Sequence, residues 1–232
     1  MFIKQAEAVS GLGQDGERVR VLYNGIKPDG FVPAATPPNP PVLGFFARMC
    51  REKGLDTLVD AFLILKTRER TQDVRLHVGG SLGPADEPFV VKLREKLSAH
   101  KKSVQFFPNV ALTEKQEFYR SLSVLSVPAL YGEAFGLYVI EALASGVPVV
   151  QPSVAAFPEL IEKTGGGLVC EPDDPRSLAD AIESLVVDTI RARAMGSAGR
   201  DAVLKDFTAD AMARNFIDLV SSRRLPEARA HA

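Results

Sequence analysis

From residue 42 onward the chain repeats one unit: a short, continuous apolar run followed by a longer stretch of helical period. The runs fall at 42–46, 74–78, 104–107, 124–127, 147–150 and 168–170, and Gly79-Gly80 after the second reads as a turn. A strand that is apolar at every position, rather than at alternate ones, is buried on both faces. Only a sheet covered by helices on both sides provides that burial, so the pattern predicts an α/β fold with a Rossmann-like, doubly wound parallel sheet. Helices are expected over 55–68, 86–99, 114–121, 135–144, 157–162, 175–187, 188–206 and 208–222, with Thr113 capping the third and Asp174 the sixth. Residues 19–23 read as one further strand, Asn24-Gly25 as a turn and the Pro- and Ala-rich 32–41 as an extended loop. The expected layout is a polar connector over 1–16, one domain over 17–222 and a frayed tail over 223–232.

Charge and composition exclude several classes. A net charge of −1 gives no electrostatic pull toward nucleic acid or anionic membrane. No apolar run is long enough to cross a bilayer, and the first residues lack the form of a signal peptide. Cys50 and Cys170 stand far apart, and His77, His100 and His231 cluster neither with them nor with one another. That spacing predicts reduced thiols, no metal site and a cytoplasmic protein. His77, inside a predicted strand, reads as a satisfied core histidine.

The chemistry concentrates in 131–150, which reads as loop, apolar helix and strand. Glu141 interrupts the helix, and a buried carboxylate must be paired, hydrogen-bonded or neutralised. Glu133 stands eight positions earlier, at the mouth of the loop. Between them, Phe135, Gly136 and Leu137 offer backbone N–H groups at the positive end of a helix, where phosphate binds well. A ribose diol could donate to Glu141 while its phosphates rest on that helix start. A purely local reading is also open: Glu133 caps the helix, and Glu141 pairs with a core Lys or Arg. Upstream, Arg48 and Lys53 stand five apart in the loop after the first buried strand. That loop is a place for fixed cations, though ordinary surface cations would fit it too.

The run Glu133-Ala-Phe-Gly-Leu-Tyr-Val-Ile-Glu141, followed by Gly146-Val-Pro-Val-Val, resembles the E-x7-E signature of family-four retaining glycosyltransferases, sugar-nucleotide enzymes of GT-B fold. The segment from Leu22 to Phe31 is similar to the hinge by which such chains enter their C-terminal lobe. The chain departs from the family at Lys27, where Asp is common, and at Pro108 and Ala134, where Gly is usual. The resemblance covers roughly 17–222 and implies one GT-B lobe, the donor-binding one. It implies that Arg48 and Lys53 face the donor diphosphate, and that Phe135, Gly136 and Leu137 hold phosphate through N–H. Glu141 would hold the ribose and Glu133 would meet the donor sugar. The loop at Val110 would lie against the base, and the loop shape near Gly80 would help choose the sugar.

No cofactor is implied beyond the substrate, a UDP- or GDP-linked sugar, and the two cations would serve in place of a metal. The acceptor, a sugar or lipid, would be held by an N-terminal lobe that this sequence lacks, so the chain alone is expected to be inactive. A longer protein of this kind could sit at the membrane periphery. Two other readings stand beside this one. One is a nucleotide-binding module without catalysis that works with a partner. The weaker one is another GT-B-like enzyme, such as an epimerase or a pyridoxal-phosphate-dependent phosphorylase.

Overall fold

The computed structural model describes residues 21–221. Six parallel strands form one sheet: β1 (Val42–Phe46), β2 (Arg75–Gly80), β3 (Val104–Pro108), β4 (Val124–Leu125), β5 (Val149–Pro152) and β6 (Gly167–Cys170). Their order across the sheet is β3-β2-β1-β4-β5-β6. The chain walks outward from β1 to β3, crosses back to place β4 beside β1, and then walks outward the other way. With right-handed crossovers, that route puts helices on both faces. Leu43, Phe45, Leu76, Val78, Leu125 and Val149 are fully buried along the strands, as continuous apolar runs require.

The helices are α1 (Leu55–Lys66), α2 (Glu87–Lys96), α3 (Leu112–Arg120), α4 (Leu137–Ala144), α5 (Phe157–Thr164), α6 (Pro175–Val187), α7 (Thr189–Asp206) and α8 (Ala209–Ser221). On α1, Leu55, Leu58, Phe62 and Leu65 recur at helical spacing and all are buried. The last strand feeds α6, which returns to pack against α1, while α7 packs against α4 and α5. Asp174 caps α6 as expected: its Oδ1 accepts from the N–H groups of Arg176 at 2.8 Å and Ser177 at 3.1 Å, and Pro175 opens the helix.

Several boundaries differ from the sequence reading. Val21 to Tyr23 form no strand, and the local turn lies at Asp29-Gly30 rather than Asn24-Gly25; Ile26 makes an isolated bridge to Thr208 instead. Gly79 and Gly80 lie inside β2, paired with Phe107 and Pro108, and not in a turn after it. The third helix is capped by Ala111 rather than Thr113. Ala111 N–H donates to Glu114 Oε2 at 2.8 Å, so Glu114 closes the turn. Helix α4 starts at Leu137, two residues later than expected, because Gly136 at its N-cap holds φ 83. The proposed connector over 1–16, the start of the 19–23 strand and the tail over 223–232 lie outside the described residues.

Candidate active site

In this strand order the chain leaves β1 toward β2, but leaves β4 toward β5. The loops at the C-terminal ends of β1 and β4 therefore diverge and open a crevice between neighbouring strands. One wall is the segment 47–54 and the other is 126–136. They are stitched together: Leu130 N–H donates to Glu52 O at 3.1 Å. Gly54, at φ 70, starts α1 against Pro128; a Cβ there would lie 1.8 Å from Pro128 O, so no other residue fits.

The ends of β2 and β3 join the same edge. Ala47 N–H donates to Gly79 O at 3.2 Å, Met49 N–H to Ser81 O at 2.9 Å, and Asn109 N–H to Gly80 O at 2.9 Å. The Asn109 amide also pairs with both backbone groups of Leu82, each at 3.0 Å. Gly80 itself is buried at φ 122.

Across the crevice, Lys53 Nζ pairs with Glu133 Oε2, and the same oxygen accepts from Tyr138 Oη at 3.1 Å. The two side chains are 28 % and 17 % exposed, so the pair is only partly screened. Burial, reinforced by the charge and hydrogen bond of Glu133, pushes the Tyr138 hydroxyl far above the usual phenol range, which keeps it a donor. Glu133 thus contacts a cation and a tyrosine; it does not cap α4, whose N-cap receives no side-chain bond. The N–H groups of Phe135, Gly136 and Leu137 donate no hydrogen bond among the described residues, and they stand at the positive end of α4.

The other expected residues have different partners. Arg48 is held in a two-pronged pair by Asp86, with Nε to Oδ2 at 2.8 Å and Nη2 to Oδ1 at 3.1 Å. Its side chain stays 58 % exposed while that of Asp86 is 12 % exposed. Glu141 takes Lys115 Nζ on Oε1 at 2.5 Å and Tyr119 Oη on Oε2 at 2.9 Å. This is the core-cation pairing that the local reading called for. Lys115 Nζ also lies 5.3 Å from the Phe46 ring centroid. Val110 is half-buried just past Asn109, and its N–H donates no hydrogen bond among the described residues.

The structure therefore joins Lys53 with Glu133 directly. Arg48 and Glu141 sit at the same sheet edge, but no hydrogen bond links either of them to that pair. Two formed hollows, of about 350 and 320 Å³, lie elsewhere and contain none of the nine expected residues. Asp86, Lys115, Tyr119 and Tyr138 escaped the sequence reading. They lie in segments that read only as helices, and only tertiary contact shows what they touch. Among the described residues no group of three or more His, Cys, Asp or Glu could hold a metal, and no helix is long and apolar enough to cross a membrane.

Residues 29–202 match the sequence pattern of the family described as glycosyl transferases group 1. The chain belongs to that family. A D-inositol 3-phosphate glycosyltransferase of Xylanimonas cellulosilytica is 30% identical over 226 residues, which is 89% of this chain and 52% of that protein. The chain spans about half or less of the length of the first curated relatives it matches. The C-terminal domain of a group 1 glycosyl transferase from Francisella tularensis superposes with a TM-score of 0.70 at 24% identity, over 80% of this chain and 100% of that one. The Anabaena protein HepE in complex with UDP-glucose gives a TM-score of 0.74 at 22% identity, over 90% of this chain and 59% of that one. The sheet described above is one lobe of the GT-B architecture.

Proposed function

We propose that this chain is the donor-binding lobe of a retaining glycosyltransferase that uses a nucleoside-diphosphate sugar. The observation that carries the reading is the contact of Lys53, from the loop after β1, with Glu133, from the loop before α4, beside three unused N–H groups at a helix start. Cations and oriented amides at one crevice suit a diphosphate leaving group, because they meet the charge that develops as the glycosidic bond breaks. In this reading Lys53 exchanges Glu133 for a phosphate oxygen, Arg48 adds a second cation, and Glu133 is released toward the donor sugar. Each oxygen of Glu141 has one partner and keeps capacity for a second hydrogen bond, enough to accept from a ribose diol. Tyr119 stays protonated beside it: burial, then the charge and hydrogen bond of Glu141, hold its hydroxyl well above the usual range. A UDP-sugar in a protein of the same fold supports this class of donor. An acceptor sugar or lipid would be presented by a second lobe across the crevice, because half a cleft neither excludes water nor orients an acceptor.

Calorimetry with UDP, GDP and ADP tests the reading. The wild-type chain should bind at least one of them, and Glu141→Gln should weaken that binding about tenfold or more, with thermal unfolding little changed. Equal affinity of the two proteins removes Glu141 from the site. If none of the three nucleotides binds the wild type, the donor assignment fails.

A further inference from the structure

The opposite edge of the sheet carries a second group of cations. A cavity of about 350 Å³ lies there, between the extended segment after Phe31, the end of α4 and the first turns of α7. Pro33, Val147 and Leu185 give it apolar walls, and Arg120, Arg193 and Arg200 line it. No Asp or Glu lines it, and none of the three arginines pairs with a carboxylate among the described residues. Arg200 is fixed in place: its Nη1 donates to Phe31 O at 2.7 Å and to Ala144 O at the end of α4. Its Nε and Nη2 donate to nothing among the described residues. Thr189, the first residue of the long helix α7, also lines the cavity; the start of that helix is already capped by Asp188, whose Oδ1 accepts from Arg191 N–H at 3.0 Å. An adjoining hollow shares Ala34, Ala35 and Arg120 and includes one acid, Glu117.

Three like charges around a recessed apolar space repel one another until an anion joins them. We propose that this cavity binds a small soluble molecule with an apolar body and one phosphate or carboxylate head. The volume falls in the range of small-ligand sites. The site shares no residue with the donor crevice and stands independently of the sugar-nucleotide reading.

Titration calorimetry with n-hexyl phosphate, n-hexanol and inorganic phosphate tests this. Hexyl phosphate should bind with one-to-one stoichiometry, at least tenfold more tightly than either of the others. Arg200 ties two carbonyls and its loss could disturb the fold, so the diagnostic variant is R120A/R193A, which alters two exposed side chains. It should lose tenfold or more in hexyl phosphate affinity with unchanged thermal unfolding. Ala192→Phe, placed to fill the cavity, should block binding as well. The proposal is overturned if hexyl phosphate gives no heat, or if hexanol or inorganic phosphate binds as tightly. It is also overturned if R120A/R193A binds hexyl phosphate normally. Arginine-dependent sedimentation with phosphatidic acid vesicles, without hexyl phosphate binding, would replace the small ligand with a membrane surface.

Discussion

Asp86 is the residue on which the orientation of Arg48 depends. A guanidinium gripped on two donors by one carboxylate keeps a fixed plane, and its remaining N–H groups point one way. Asp86→Asn replaces one acceptor oxygen with a donor and loosens that grip. We expect nucleoside-diphosphate affinity by calorimetry to fall roughly threefold to tenfold, with partial recovery in Asp86→Glu. Unchanged affinity would reduce the pair to surface decoration. Sequence could not have shown this contact. Arg48 and Lys53 were legible because they follow a buried strand, and the two glutamates because a charge inside an apolar helix needs a reason. Their partners come from 22 to 80 positions away along the chain, brought close by the order of the strands.

His77 lends the residue scale a pH signature. Its Nδ1 lies 3.2 Å from Ser121 Oγ, which itself donates to Phe118 O, and its ring stands 5.2 Å from Phe107. Burial, then the nearby Arg75, lowers its pKa from the ordinary histidine value. The fold therefore prefers the neutral ring. Its contribution is complete above the unfolded value, about 6.5, and is lost as pH falls through the lower folded value. In chemical denaturation from pH 7 to 5, His77→Gln should lose less stability per pH step than the wild type. Parallel curves would show that the imidazole is indifferent to the fold.

At the scale of elements, all six strands from residue 42 onward were readable from apolar runs, because a doubly covered sheet demands burial at every position. Two kinds of boundary were not. Glycines after a strand read as a turn, yet Gly79 and Gly80 continue β2, since pairing with β3 extends the ladder past the apolar run. The end of β2 shows why glycine is required there: at Gly80 a Cβ would fall 1.9 Å from Ala47 O, on top of a φ of 122. Gly80→Ala should therefore cost about 3 kcal/mol or more in urea unfolding, well above the ~1 kcal/mol typical of a point substitution. A loss under about 1 kcal/mol would mean that the β1 loop yields easily. The weak alternation at 19–23 also misled. Val21 to Tyr23 stay irregular, and the nearby backbone ties Ile26 to Phe207 and Ala209.

Taken whole, the molecule has an electrically quiet working edge. Arg48 with Asp86, Lys53 with Glu133 and Lys115 with Glu141 set three positive charges against three negative ones, and the chain overall sits at −1. A crevice of that kind projects little field beyond about 10 Å at ordinary salt. Stopped-flow association of a nucleoside diphosphate should change by less than about threefold between 50 and 300 mM salt, where a steered encounter would slow far more. On the donor-binding proposal, the ion pair of Lys53 and Glu133 acts as a latch on timing. An arriving phosphate has to break a bond already made, so discrimination falls on how long a visitor stays and not on how fast it comes. A crevice built this way ignores most passing anions, and keeps only those able to trade places with a carboxylate.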